Sequence, residues 1–326
     1  MTFGLVSTLA DPEPTKLACI TDQFVATIDA VAPKCPIRAP LASATDSSFP
    51  TAIYRTALAR YQAAGHPVIG VLAQEFHPGY LNLPLGLNGA DPTLNVAIDA
   101  FSMRAMAVCR QLVGHGLAGA WCWNEPNISD QPAIGVLPPA VQPTALNPAV
   151  FGSLLYQTSR RLKAGGVPLV YAGALTCLEQ FHTDPAGDWV AGYLDKAYAY
   201  LVRHGKTDFH WDFLSVNMEG RISPAYAAKT AAALRAVAAK YGHTVKLAVG
   251  EFGWQAGTAV DAVAAQATYD ALSAAFDEVY FYAWQWTTPG DPTGYGAAGW
   301  DESSGAIGPN GRVSPWYSVL RDLKKG

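Results

Sequence analysis

Two short segments hold the residues best suited to chemistry in this chain. In "AWCWNEPN", residues 120–127, Asn124 and Glu125 follow an apolar run that Pro126 then ends. In "LAVGEFGW", residues 247–254, Glu251 sits at the end of a second apolar run. A carboxyl group there is an unusual choice, because half-buried charge is costly without partners. Two such groups on opposite sides of one bound sugar are what cleavage of a glycosidic bond requires. One protonates the departing oxygen while the other attacks the sugar or activates water. Whether Glu125 and Glu251 can meet depends on the elements that carry them.

Apolar runs of strand length alternate with Ala-rich stretches of helical length, the pattern of a parallel sheet. Strands are expected at 3–8, 36–41, 67–73, 118–123, 168–175, 213–218, 245–252 and 278–284. Helices are expected at 21–31, 50–64, 93–114, 149–165, 187–204, 224–241, 259–275 and 315–324. Pro148 and Pro224 stand near helix starts, and Gly65, Gly165, Gly205 and Gly242 near helix ends, as chain punctuation predicts. Eight strands and eight helices in strict alternation predict an α/β fold, a (β/α)8 TIM barrel. It takes up residues 1–326 as a single domain. An open doubly wound sheet is the alternative, though it usually carries fewer units. Closure would set strands four and seven across the mouth from each other, with both glutamates on the catalytic face. Two long irregular stretches, 127–147 and 287–314, also follow strands at that face, and loops of that length are usually functional.

In this order, "WNEPN" and "GEFGW" resemble clan A of the glycoside hydrolases, the retaining (β/α)8 enzymes. The resemblance implies Glu125 as general acid/base, Asn124 as partner of the sugar 2-hydroxyl and Glu251 as nucleophile. It also gives a role to Arg38 in "PIRAP", where clan members often carry an arginine that holds the nucleophile ionised. The physical reason is direct, since a guanidinium beside a carboxylate favours the charged form. Trp284 and Trp286, in "YAWQW", stand where clan members stack a sugar face on an indole, with Trp284 the favoured platform. The segment "GAIGPNGRVSPWYSVL" resembles the clan's usual ending, a tight turn and a proline before the closing helix.

Strand six departs from the clan pattern. A His-x-Tyr pair, whose tyrosine contacts the nucleophile, is replaced in "SVNMEG" by Asn217 and Glu219. Glu219 would bind a sugar hydroxyl or an amino sugar, or form an ion pair with Arg221 or Arg38. The resemblance is thus to a divergent member. Glu75 and His77, after strand three, and His182, after strand five, are candidates for the border of a subsite. Trp121 and Trp123 are expected to pack the barrel, and a wall of tryptophan to raise the pKa of Glu125.

The remaining features mostly exclude. Half of the 326 residues are hydrophobic, and nine Trp and fifteen Tyr suit a large core or a ring-lined cleft. The net charge of −4 comes without a basic cluster, so nucleic acid and acidic membrane surfaces are not expected partners. No apolar run reaches the ~18 residues of a membrane span. "GYGAAG", 294–299, matches a dinucleotide fingerprint but neither follows a strand directly nor opens a helix. Seven histidines without HExxH or other ligand spacing argue against a metal, and no cofactor is expected. Five scattered cysteines fit buried thiols better than a disulfide framework, with Cys19–Cys35 the one conceivable pair. "NIS", 127–129, is a glycosylation sequon, but a glycan there would block the cleft.

The expectation is therefore a retaining O-glycosyl hydrolase of a β-linked oligo- or polysaccharide. It is expected to be a monomer and, with aromatic residues enough for several subsites, endo-acting. A non-catalytic carbohydrate-binding barrel and a transglycosylase are the alternatives. No secretory signal is visible at the N-terminus. Cytoplasmic residence fits, as does export by another route or by a signal not in this sequence.

Overall fold

Runs rich in Val, Ile, Leu and Ala form the strands: β1 (Thr2–Val6), β2 (Ile37–Pro40), β3 (Val68–Leu72), β4 (Leu117–Asn124), β5 (Leu169–Thr176), β6 (Phe213–Glu219), β7 (Lys246–Gly253) and β8 (Glu278–Phe281). The helices between and after them are α1 (Asp22–Asp29), α2 (Thr51–Ala63), α3 (Pro92–Val113), α4 (Pro148–Ala164), α5 (Trp189–Arg203), α6 (Pro224–Lys240), α7 (Ala262–Ala275) and α8 (Pro315–Asp322). The computed structural model describes residues 1–7, 20–42, 49–73, 76, 92–127, 146–177, 189–253, 261–282 and 315–325.

All neighbouring strands are parallel, and β1 pairs with β8 from Thr2↔Glu278 to Leu5↔Phe281. The sheet is thus a closed barrel in sequence order, which rules out the open doubly wound alternative. Helix starts follow local chemistry. Asn147 accepts from the Ala149 amide at 2.9 Å ahead of Pro148, and Ser223 accepts from the Tyr226 amide at 3.2 Å ahead of Pro224. Each side-chain oxygen satisfies one of the orphan donors of a first turn. Among the described residues, no helix is long and apolar enough to cross a membrane.

Parallel strands buried on both faces divide the apolar residues into two cores. The outer one lies between sheet and helices. The inner one fills the barrel with Val6, Ile69, Val71, Ala73, Trp121, Tyr171, Ala174, Phe213, Ala248 and Tyr280. Its centre is a stack of rings, Trp121 on Tyr171 and Tyr171 on Phe213, both at 4.3 Å. Tyr280 meets Trp121 edge-on at 5.4 Å. The barrel below the mouth is therefore solid.

Cys35, Cys109 and Cys122 are free and buried, Cys177 is buried beside the Tyr226 hydroxyl at 3.0 Å, and Cys35 does not pair with Cys19, which lies outside the described residues. Burial pushes the thiols of Cys35 and Cys109 up to about 12, leaving them in the unreactive form.

Candidate active site

Side chains alternate along a strand, and three local irregularities decide which of them reach the mouth. On β4, strict alternation would send Trp121 and Trp123 to the same side. Trp123 instead has φ 79° and Glu125 φ 47°. Left-handed backbone costs a non-glycine residue roughly 1–2 kcal/mol. Among the described residues only Lys34 shares it, so two of the three cases bracket Asn124. Trp121 enters the inner core, while Trp123 joins the outer one against Phe101 of α3 at 5.8 Å. Asn124 then comes beside Ala174, an inner residue of β5.

β7 carries the second irregularity. Val216 pairs with Val249 but Asn217 with Glu251, one extra residue on β7. β5 carries the third, with Tyr171 opposite Phe213 but Leu175 opposite Val216. Strand β6 is regular here and turns Ser215, Asn217 and Glu219 to one side.

The turn after Glu125 is locked by a side chain. The Glu125 amide donates to the Ala174 carbonyl at 2.8 Å. Asn127 donates from Nδ2 to the Thr176 carbonyl at 3.0 Å and accepts from the Thr176 amide at 2.8 Å. It is fully buried, so the asparagine of the sequon is a turn lock.

At the mouth, one chain of hydrogen bonds joins the two carboxyl groups. Arg38, only 3% exposed, donates from Nη1 to Glu251 Oε1 at 2.5 Å and from Nη2 to Asn124 Oδ1 at 2.8 Å. Asn217 Nδ2 donates to Glu125 Oε1 at 3.1 Å and lies 3.4 Å from Asn124 Oδ1. The path runs Glu251–Arg38–Asn124–Asn217–Glu125. The Arg38 guanidinium rests over the Trp121 ring at 4.8 Å, and Trp121 donates to Ser215 Oγ at 2.6 Å. The ring is a floor that holds the arginine by cation–π attraction.

Burial raises the Glu125 pKa, and the charge of Glu251 adds to it; the Asn217 hydrogen bond, Thr176 and Arg38 oppose the shift. The expected wall of tryptophan is not its source, since Trp123 packs outward and Trp121 lies under Arg38. Burial, then the charges of Glu251 and Glu125, push Glu219 up to about 7. Neither expected arginine pairs with it. Arg221 binds Asp261 at 2.9 Å and Arg38 binds Glu251. Tyr282, one residue past β8, is held well above its ordinary pKa by burial and by Glu251, Glu219 and Glu125. Its hydroxyl stays protonated, a neutral donor near three carboxyl groups.

The structure thus assembles Arg38, Asn124, Glu125, Asn217, Glu219 and Glu251. Trp284, Trp286, Glu75, His77 and His182 lie outside the described residues. Sequence reasoning missed Tyr282, although it stands two residues after the inward Tyr280 on β8, a spacing that signals the same face. It also missed the locking role of Asn127, for which the sequence has no signal. Among the described residues, no group of three or more His, Cys, Asp or Glu is arranged to hold a metal ion. Chemically, the mouth offers one carboxylate fastened to a fixed cation and a second carboxyl that favours its proton.

No family model and no curated protein matches the chain. Solved structures do. The endo-1,4-beta-D-mannanase from Thermotoga petrophila RKU-1 is 13% identical, with 98% of each chain covered and a TM-score of 0.62. The family 1 β-glucosidase from Thermotoga maritima is 11% identical, covering 98% of this chain and 96% of that one, at a TM-score of 0.63. Xylanase 10B from Thermotoga maritima is 11% identical, covering 98% and 93%, at a TM-score of 0.57. At such identity the likeness establishes a shared barrel fold.

Proposed function

We propose that the chain is a retaining glycoside hydrolase acting on a β-linked oligo- or polysaccharide. The observation that carries this reading is the asymmetry of two linked carboxyl groups. Glu251 is bound to Arg38, while Glu125 is buried, favours its proton and is held by an amide. Double displacement needs that division of labour. Glu125 protonates the departing oxygen as Glu251 attacks the anomeric carbon and forms a glycosyl-enzyme. Glu125, now a carboxylate, takes a proton from water, which displaces Glu251 and releases the sugar.

The neighbouring groups receive roles from their bonding. The Asn124 carbonyl is engaged by Arg38, so its NH₂ is the group left to donate to the sugar 2-hydroxyl. Asn217 fixes the orientation of Glu125. Glu219 and Tyr282 line the adjoining subsite, where they meet a hydroxyl or an amino group of the sugar. Trp284 and Trp286 supply stacking platforms, His77 borders a further subsite, and attack falls within the chain of a polysaccharide. The similar barrels, a mannanase, a β-glucosidase and a xylanase, favour a β-linked substrate.

The test is a panel of 4-nitrophenyl and 2,4-dinitrophenyl β-glycosides with wild type and Glu251→Ala. The variant should lose turnover by about 10⁴-fold or more. Azide should restore it and yield a glycosyl azide of inverted configuration. Full activity in Glu251→Ala removes the assignment. Release from no member of the panel, with tight glycan binding, points to a carbohydrate-binding barrel instead. Glycosyl transfer outrunning hydrolysis at high acceptor concentration identifies a transglycosylase.

A further inference from the structure

Gly250 precedes Glu251 and is passed over by both neighbouring strands. Toward β6, Val249 pairs with Val216 and Glu251 with Asn217. Toward β8, Val249 pairs with Val279 and Phe252 with Phe281, so three steps on β7 answer two on β8. One extra residue of this kind bends a strand and re-aims the side chains beyond it. Burial records the result. Ala248 belongs to the inner core, whereas Val249 and Phe252, three residues apart, both pack outward. By strict alternation Glu251 would share the outward face of Val249; the bulge turns it to the mouth.

The absent side chain matters separately. A Cβ at position 250 would stand 2.9 Å from Asn217 Oδ1, 3.1 Å from Ala174 Cβ and 3.2 Å from Trp121 Cζ2. Ala174 and Trp121 belong to the packed inner core and have little room to move. Asn217 is 1% exposed, and its Nδ2 holds Glu125. Its Oδ1 has no hydrogen-bond partner among the described residues, and it faces the space that Gly250 leaves. A methyl group there displaces the amide that orients Glu125.

We propose that Gly250 is a positioning residue for both carboxyl groups at once: its bulge aims Glu251, and its missing side chain leaves the space from which Asn217 holds Glu125. The roles of the two carboxyls rest on the hydrolase reading; their coupling through position 250 does not.

The experiment compares wild type, Gly250→Ala, Asn217→Ala and the double variant as full chains, with circular dichroism and melting to establish folding. The first readout is the titration of Glu125, followed by NMR with glutamate labelled at its carboxyl carbon and assigned through Glu125→Gln. The Asn217 hydrogen bond favours the charged form, so loosening it raises the titration point, by about one pH unit. Asn217→Ala should do the same, and Gly250→Ala should add little in its background, because the two act through one contact. The second readout is turnover of a 4-nitrophenyl β-glycoside, where misplacement lowers kcat about 10²-fold with KM nearly unchanged. A folded Gly250→Ala with an unmoved titration and wild-type kcat overturns the proposal, as does an undiminished shift in the Asn217→Ala background. If Gly250→Ala does not fold, Gly250→Ala/Ala174→Gly relieves the Ala174 contact and keeps the Asn217 contact, and the same criteria apply. A shifted titration in a protein that cleaves no glycoside supports the coupling while the hydrolase reading fails.

Discussion

The barrel buries carboxyl groups at both ends, and the two ends treat them differently. At the N-terminal end Glu278 Oε2 accepts from Tyr171 at 2.9 Å and from Tyr280 at 2.8 Å. Burial raises its pKa, the two hydroxyls and Lys246 pull it back, and the carboxyl serves as a plug below the ring stack. At the C-terminal end Glu251 is bound to the buried Arg38, Glu125 is held by Asn217, and the charges of both bear on Glu219, which pairs with neither Arg38 nor Arg221. A buried acid satisfied by local donors is architecture. A buried acid pressed by the charges of neighbouring carboxyl groups is held ready to change its proton or its partner, the condition expected of functional groups.

Breaking the Arg38–Glu251 pair should have the largest effect. Arg38→Met leaves a buried carboxylate without its cation, which costs about 3–5 kcal/mol. A urea melt should register the loss, and kcat should fall about 10³-fold or more, because Asn124 also loses its partner. Next comes Glu125→Gln, expected to lower kcat/KM for poor leaving groups by about 10²–10⁴-fold. It should also erase the basic limb of the pH profile. An unchanged limb would assign that proton to another group.

Glu219→Gln should sharpen the contrast through stability. Glu219 titrates at about 7 in the folded chain against an ordinary 4.5, so the folded state holds a proton the unfolded state has released. Its contribution is intact below pH 4.5 and is lost as pH rises through 7. The variant should therefore match wild type in acid and melt roughly 2–5 °C higher at pH 8. A difference independent of pH would contradict this. Glu278→Gln should have the smallest effect, with kcat unchanged and a stability loss of about 1 kcal/mol, since an amide oxygen still accepts from the two tyrosines. A large fall in kcat would end the distinction between the ends of the barrel.

Most element boundaries were legible because caps and apolar runs act locally. Asn147 with Pro148 and Ser223 with Pro224 start helices where the sequence placed them. Positions of Glu125 and Glu251 along the chain were legible for the same reason. The partners of Glu219 were not. Two arginines looked equally able to bind it, and only the fold gave Arg38 to Glu251 and Arg221 to Asp261. Side chains from strands far apart in sequence settle such competition by distance, which a single chain does not print. The reason for the raised pKa of Glu125 was misjudged likewise, because the tryptophans were assigned to one wall and the kink at Trp123 separated them.

By itself the sequence determined the alternation of strands and helices and the presence of a glutamate at the ends of the fourth and seventh strands, while the pairing of β1 with β8 decided closure over an open sheet. Which way those side chains point was decided only by tertiary structure. A period-two reading puts Trp123 with Trp121 and Glu251 with Val249, whereas the left-handed turn on β4 and the extra residue on β7 separate both pairs. Strands buried on both faces are apolar on both, so their composition carries no record of inside and outside. That choice falls to close packing around Trp121, Ala174 and Asn217, which leaves space for a glycine at 250 and no more.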